Sequence, residues 1–406
     1  MAMKVTVIGL GYLGATHAVA MSKLGHKVIG IEQDPRKLDS LRQGKAGFYE
    51  PGLDQALVEE IASGRLSFQS GHDESTSDAD IHFICVGTPQ EKDSLKADTT
   101  YLFSAISELA PHLKSHSVVV GKSTVPVGTA EQLTKALSSL TENQVHLAWN
   151  PEFLREGTAL SDSLRPDRLV VGVADDYSEK KLREVFEPMI ASGVPFLVTD
   201  IPTAELVKAA ANAFLATKIS FINAMAEISE VAGADASMLA EAIGYDERIG
   251  NKFLRNGVGF GGGCLPKDIR ALMARAEELG VGKAVEYLKE IDKINLRRRE
   301  RVIELLEAEL GNLSQRRVLV LGAAFKPDSD DVRDSPALDI ALLAKAKGAD
   351  VVVHDPIALP GVSKKHPELS TEKDLVSAFA KADAVVLATE WKEYRELDPK
   401  SVSDSV

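Results

Sequence analysis

Lys4-Val5-Thr6-Val7-Ile8-Gly9-Leu10-Gly11-Tyr12-Leu13-Gly14 is the stretch that decides the fold of this chain. Lys4 to Ile8 is short, apolar and β-branched, the composition of a strand buried in a parallel sheet. It runs into Gly9-x-Gly11-x-x-Gly14, after which Ala15 to Leu24 has a helical pattern that Gly25 ends. Lys27-Val28-Ile29-Gly30-Ile31 reads as a second strand, closed by Glu32. The glycine pattern alone is a weak signal. Between a strand and a helix, with an acid ending the next strand, it stands in the context that dinucleotide binding requires. Backbone amides at the start of the helix, around Tyr12, Leu13 and Gly14, are placed to hold a pyrophosphate. Glu32 is placed to accept hydrogen bonds from the adenosine ribose and to repel a 2′-phosphate, which favours NAD over NADP. A Rossmann-like domain with no nucleotide, or with FAD, is the alternative.

Strand ends further along repeat the theme. Ile81 to Val86 runs into Gly87-Thr88-Pro89, and Val118-Val119-Val120 into Gly121-Lys122-Ser123-Thr124-Val125-Pro126. Ligands of doubly wound sheets sit at the carboxyl ends of strands, so Thr88, Pro89, Ser123 and Thr124 are expected to line the cofactor cleft. Thr124 serves equally well as a turn residue before Pro126. Cys85 lies inside an apolar strand and reads as core.

With 406 residues, the chain is long enough for two or three domains with their own cores. Apolar content of 44% and charged content of 26% are ordinary for a globular protein. A net charge of −13 argues against nonspecific nucleic-acid or membrane-surface binding, while leaving room for a local basic pocket. Two cysteines are too few for a disulfide framework and point to a reducing cytoplasm. Met1-Ala2-Met3-Lys4 leads into the first strand without the apolar core of a signal peptide, and no apolar run is long enough to span a bilayer.

The chemistry concentrates elsewhere. Gly259-Phe260-Gly261-Gly262-Gly263-Cys264-Leu265-Pro266-Lys267-Asp268 sets a cysteine behind a glycine run and just ahead of a proline that opens a helix. A thiol at a helix start beside a lysine is biased toward thiolate. Asp268, four residues on, shares its helix face. A lone cysteine is more often structural; the glycines and the Lys-Asp pair favour a nucleophile. Asn150-Pro151-Glu152-Phe153-Leu154-Arg155-Glu156-Gly157 follows a strand and carries two glutamates that face one way if the segment is helical. One carboxylate would be a general base, and a solvated helix start is the plainer alternative. Past Asp200, an alanine-rich helix carries Lys208 and Asn212 on one face, a lysine suited to partial burial and an amide suited to an oxyanion. An ordinary exposed face fits that segment alone equally well.

Taken in order, Gly9-x-Gly11-x-x-Gly14, Tyr49-Glu50-Pro51-Gly52-Leu53, Gly87-Thr88-Pro89, Ser123-Thr124-Val125-Pro126-Val127-Gly128, Asn150 to Gly157, Lys208/Asn212 and Gly261 to Asp268 resemble the UDP-glucose/GDP-mannose dehydrogenase family over almost the whole chain. Leu319 to Pro327, Asp330 to Pro336 and Ala388-Thr389-Glu390-Trp391 continue the match. Arg165-Pro166-Asp167-Arg168 and Arg248 to Leu254 look most like the UDP-glucose 6-dehydrogenases within it. The resemblance implies oxidation of a sugar CH2OH to a carboxylate with two NAD and no metal, here UDP-glucose to UDP-glucuronate. It implies that Cys264 carries thiohemiacetal and thioester intermediates. Lys208 and Asn212 stabilise the oxyanion, Asp268 with Lys208 holds a water or takes the first proton, and Glu152 is the base for hydrolysis. Thr124 and Glu156 line the nicotinamide and sugar region, with Phe153 and Leu154 on the substrate side. Phe253, Gly261 and Lys326 match nucleotide-sugar contacts, and Arg248 one that reaches in from a second subunit. Lys37, Lys267 and Arg333 match positions on the cofactor side.

The implied architecture is α/β: an NAD-binding Rossmann-like domain over 1–200, a central long-helix dimerisation domain with the cysteine loop over 201–300, and a smaller Rossmann-like UDP domain over 301–406. A homodimer or larger homo-oligomer is expected. Three departures stand out. Glu32 replaces the usual aspartate. Gly263 replaces the usual serine before the cysteine, which costs a hydroxyl and loosens the loop. The tail Ser401 to Val406 does not match the last strand of related chains, so the final sheet is expected to lack an edge strand or the chain to be cut short. Rival readings are a sister enzyme for UDP-N-acetyl sugars or GDP-mannose, a non-catalytic nucleotide-sugar binder, and a two-domain 3-hydroxyacid-type dehydrogenase, which needs no cysteine loop.

Overall fold

A computed structural model describes residues 2–403; the last residues of the mismatched tail, Asp404, Ser405 and Val406, lie outside the described residues. The chain divides into two compact units, Met1–Ala210 and Ala211–Val406.

The first unit is built on β1 (Lys4–Ile8), β2 (Lys27–Ile31), β3 (Leu66–Gln69), β4 (Ile81–Ile84), β5 (Val118–Gly121), β6 (His146–Trp149), β7 (Leu169–Gly172) and β8 (Phe196–Thr199). They form one sheet in the order β3-β2-β1-β4-β5-β6-β7-β8. All neighbours are parallel except β6 and β7, which meet antiparallel at Trp149 and Gly172. The chain winds outward from β1 to β3, then returns to place β4 on the other side of β1. That reversal opens a crevice at the carboxyl ends of β1 and β4, where a doubly wound sheet binds its ligand.

Strand composition explains the layering. Val5, Val7, Ile81 and Phe83 are buried, as continuous apolar strands covered on both faces must be. A polar pair lies inside this core: Thr6 stands opposite His82, and its hydroxyl is 2.8 Å from His82 Nδ1, while His82 Nε2 finds no partner among the described residues. Gly121 lets the Trp149 indole lie flat on β5, because a Cβ there would come within 2.2 Å of the ring.

The helix Ile201–Ala232 starts in this unit. Asp200 accepts from the Thr203 amide (2.8 Å) and hydroxyl (2.9 Å), and Pro202 needs no amide partner. In its second turn, buried Glu205 accepts from the Gly128 and Ala130 amides, both at 2.7 Å, capping the helix Thr129–Leu140.

In the second unit, helices Ile201–Ala232, Leu265–Glu278 and Tyr287–Leu310 bury Ala213, Ala216, Phe260, Ile269, Met273 and Leu288 between them. A smaller sheet follows, from β9 (Arg317–Leu321), β10 (Asp350–His354), β11 (Ser370–Thr371) and β12 (Ala384–Leu387), in the parallel order β11-β10-β9-β12. It repeats the start of the first sheet with one decisive change. Asp355, at the end of β10 where Glu32 ends β2, is buried. Its Oδ2 accepts from the Ala323 and Ala324 amides (2.7 and 3.1 Å) and from the Trp391 indole (3.1 Å); its Oδ1 accepts from Ile357 (2.9 Å) and Ala358 (2.7 Å). An acid so occupied is not presented to a ribose. Only the first unit keeps both the glycine fingerprint and an acid near the surface.

No helix among the described residues is long and apolar enough to cross a membrane.

Candidate active site

In the first unit, the glycines of the fingerprint have three separate jobs. Gly9 has φ +84°, a conformation that favours glycine, and a Cβ there would press on Val86. At Gly14 a Cβ would sit 1.9 Å from the Gly9 carbonyl oxygen, so helix and turn can be this close only without one. At Gly11 nothing lies within 4 Å, leaving the backbone open to a ligand at the start of helix Tyr12–Lys23, whose N-terminus no side chain caps. Glu32 lies alongside, its Oε2 accepting from the Leu10 amide (3.2 Å) and its Oε1 from the Asp34 amide (3.0 Å). Open amides, an approachable backbone and a half-buried acid at the strand end fit a dinucleotide. Gly14→Ala is therefore expected to lower stability by about 1–3 kcal/mol and to weaken NAD binding, measured by thermal melting and by titration calorimetry.

Other expected cleft residues fall at the same end of the sheet. The Thr88 hydroxyl donates to the Thr124 carbonyl (2.7 Å) and Ser123 to the Val86 carbonyl (2.6 Å), tying the β4 and β5 loops together. Pro89 and Lys37 are exposed. Tyr12 donates to the buried Glu50 carboxylate, which also takes the Gly157 amide at 2.7 Å. Burial and the Glu50 carboxylate push the Tyr12 phenol far above its ordinary range, so it stays protonated. Glu50 is a residue that sequence reading missed, although its motif was in view.

The segment 150–158 corrects one expectation. It is irregular, not helical, so Glu152 and Glu156 do not share a helix face. Pro151 near the start and Gly157 at φ +80° suit a turning chain. Glu152 instead turns toward Lys208, its Oε1 3.2 Å from the ammonium, and its Oε2 accepts from the Leu154 amide at 2.6 Å. Lys208 is only 4% exposed, which excludes the ordinary surface face. The Phe153 ring has two cations near it, with Arg168 3.9 Å and Lys208 5.6 Å from its centroid.

Behind Glu152 is a second buried lysine that the sequence reading passed over. Lys122 Nζ donates to Asn150 Oδ1 at 2.7 Å, and Asn150 donates on to the Val170 carbonyl (2.8 Å). Burial draws the Lys122 ammonium below the ordinary lysine range. Leu13, His17, Lys122, Asn150 and Glu152 line one cavity of about 60 Å³.

In the second unit, Cys264 is the N-cap of helix Leu265–Glu278, with Pro266 in the first turn. Cys264 is exposed, whereas Cys85 is buried and its thiol is pushed up to about 12 by burial, which leaves it inert. Asp268 does not stand beside the thiol in solvent; it is 2% exposed. Its Oδ2 accepts from Asn212 Nδ2 at 2.6 Å and its Oδ1 is 2.7 Å from Lys267 Nζ. Asn212 is buried as well. Asn212, Asp268 and Lys267 thus form one charge-compensated cluster.

The loop ahead of the cysteine is held from its other side. Asn295 accepts from the Phe260 amide (2.6 Å) and donates to its carbonyl (3.0 Å), and Arg299 donates to the same carbonyl at 3.1 Å. Phe253 has φ +63° and is partly exposed, and Lys326 stacks 5.5 Å from the Phe325 ring centroid. Arg248 is exposed and paired with Asp246 at 2.6 Å.

Three segments match one family: the NAD binding domain of the UDP-glucose/GDP-mannose dehydrogenase family at 3–190, its central domain at 202–297 and its UDP binding domain at 319–406. The chain belongs to the UDP-glucose/GDP-mannose dehydrogenase family. It is 39% identical to the UDP-glucose 6-dehydrogenase of Rhizobium meliloti, over 98% of this chain and 91% of that one. It is 38% identical to UDP-glucose 6-dehydrogenase YwqF of Bacillus subtilis, over 99% and 91%. Among solved structures, a UDP-glucose dehydrogenase from Pyrobaculum islandicum superposes with a TM-score of 0.93 at 39% identity, covering 98% of this chain and 92% of that one. The first unit is accordingly the NAD-binding part of a dehydrogenase, and NAD is its cofactor.

Proposed function

We propose that this chain oxidises UDP-glucose to UDP-glucuronate in two successive steps. The observation that carries the reading is the contrast between its cysteines: one exposed at a helix N-cap beside the Asn212–Asp268–Lys267 cluster, the other inert in a strand. NAD supplies the hydride acceptor for each step. Lys208 and Asn212 stabilise the oxyanion, and Asp268 holds water or takes the first proton. The Cys264 thiolate adds to the intermediate aldehyde and keeps it bound until it is oxidised to a thioester. Glu152, its carboxylate oriented by the Leu154 amide, is the base that activates water for hydrolysis. Thr124, Glu156, Thr88 and Glu32 serve the cofactor side, and Phe153, Phe253, Gly261 and Lys326 the sugar nucleotide.

The three segments of the family match support a division into NAD, central and UDP domains near residues 200 and 300. A homodimer formed through the central helices accounts for an apolar stripe on helix Ile201–Ala232. Phe214, Phe221 and Ile228 recur every seven residues and are 66%, 47% and 59% exposed. Exposed Arg248 is then available to a second subunit's site. A nucleophilic thiol that must stay reduced fits the cytoplasm.

The test is NADH yield with limiting UDP-glucose, run beside UDP-N-acetylglucosamine and GDP-mannose. Two NADH per UDP-glucose is expected. Two NADH with another sugar only moves the substrate and keeps the chemistry. One NADH removes the thioester step, and with it the role of Cys264.

A further inference from the structure

The glycine ahead of the nucleophile is not empty space. An ideal Cβ on Gly263 would lie 2.3 Å from Arg333 Cζ, 2.5 Å from Nη1 and 2.6 Å from Nη2. Three nearly equal distances mean that the guanidinium lies face-on against the Gly263 backbone, one residue from Cys264. Asp331 holds it there, accepting from Arg333 Nε (2.9 Å) and Nη2 (2.7 Å) while facing the Gly263 amide at 3.4 Å. The backbones interlock too. Gly262 donates to the Arg333 carbonyl at 2.9 Å, and a Cβ on Gly261 would strike the Asp334 carbonyl at 2.2 Å.

We propose that Arg333 is a positioning residue for Cys264: its guanidinium fills the room left by the absent side chain of Gly263, braces the cysteine loop and favours the thiolate. The inference rests on reading Cys264 as the nucleophile. It gives the glycine at 263 a purpose other than loosening the loop. Several charged groups of this unit are disposed about the loop, among them Arg299, which donates to the Phe260 carbonyl (3.1 Å) and pairs with Asp339. Lys267 is paired with Asp268 on the cysteine's own helix, and Arg270 with Asp292 (3.2 Å) and Asp334 (3.3 Å). Arg333 with Asp331 comes from the segment facing the loop. Arg333 is the cation among them that lies on the residue next to the thiol.

The contact also makes a clean test possible. A side chain at 263 displaces only the far end of a flexible arginine, so Gly263→Ser is expected to fold normally. The measurement is the rate of Cys264 alkylation by iodoacetamide across neutral to alkaline pH in the intact protein, with buried Cys85 as the unlabelled control. Gly263→Ser and Arg333→Gln are each expected to slow alkylation at neutral pH by about three- to tenfold and to move its midpoint upward. Arg333→Lys keeps the charge and recovers part of the rate. Identical profiles in all four proteins overturn the proposal, as does a result in which only NAD affinity changes, which makes Arg333 a cofactor contact instead. The nucleophile reading is tested separately: alkylated protein that still oxidises UDP-glucose to the acid refutes that reading whatever the variants show.

Discussion

Cys264→Ala is expected to abolish UDP-glucuronate formation, by a factor of about 10⁴ or more, while leaving NAD affinity unchanged. The size follows from what the residue is asked to do. Without a covalent thiohemiacetal the aldehyde is not held for the second hydride transfer, and no thioester forms to hydrolyse. The specificity of the effect follows from structure. Cys264 is an exposed N-cap whose side chain makes no capping hydrogen bond, so alanine removes a sulfur without unseating the helix, which Pro266 still opens. The pyrophosphate-binding elements, Gly9 to Gly14 and Glu32, belong to the first unit and are untouched. Cys85 cannot substitute, since burial keeps its thiol protonated. The check is acid product by mass spectrometry, with NAD binding by calorimetry. Normal turnover of the variant would end the covalent mechanism; loss of NAD binding would show that the substitution damaged more than the nucleophile.

The parts of this molecule that were legible in sequence are those where local pattern and tertiary role coincide. β1 and β2 fall where their apolar runs do because parallel strands are buried on both faces and admit few polar interruptions, such as the hydrogen-bonded Thr6 and His82. The fingerprint glycines were legible because each answers a backbone requirement: a positive φ, an open approach, a close packing. The helix start at Cys264 was legible for the same reason, because a glycine run precedes it and a helix-opening proline follows.

What escaped depends on contacts between residues distant in the chain. A lysine among alanines fits partial burial and an exposed face alike, and the choice is made by the irregular segment that brings Glu152 to it. The shared face of Glu152 and Glu156 was conditional on a helix, and the condition is not met, because Pro151 and Gly157 suit a turning chain. Glu50, Glu205 and Asp355 are buried carboxylates whose partners are mostly backbone amides. Amides carry no sequence signature, so such acids look like any surface acid. Asn295 and Arg299 brace the cysteine loop from a helix more than thirty residues away, and Arg333 lies against Gly263 across seventy.

The buried pair invites the second large effect. Lys208→Met is expected to lower kcat by about 10²–10³-fold, the usual consequence of removing a donor from a developing oxyanion. It is also expected to cost about 3–5 kcal/mol of stability, because the Glu152 carboxylate, 13% exposed, is left without its cation. These losses have different causes, and a second substitution separates them. Glu152→Gln in the Lys208→Met background removes the stranded charge while keeping an oxygen for the Leu154 amide. Unfolding free energy then recovers most of its loss. The rate does not, since neither the oxyanion donor nor the hydrolytic base is present. Chemical denaturation and single-turnover NADH kinetics on the two single variants and the double variant complete the cycle. If rate returned along with stability, Lys208 would be serving only to neutralise Glu152, and the oxyanion role assigned to it would be wrong.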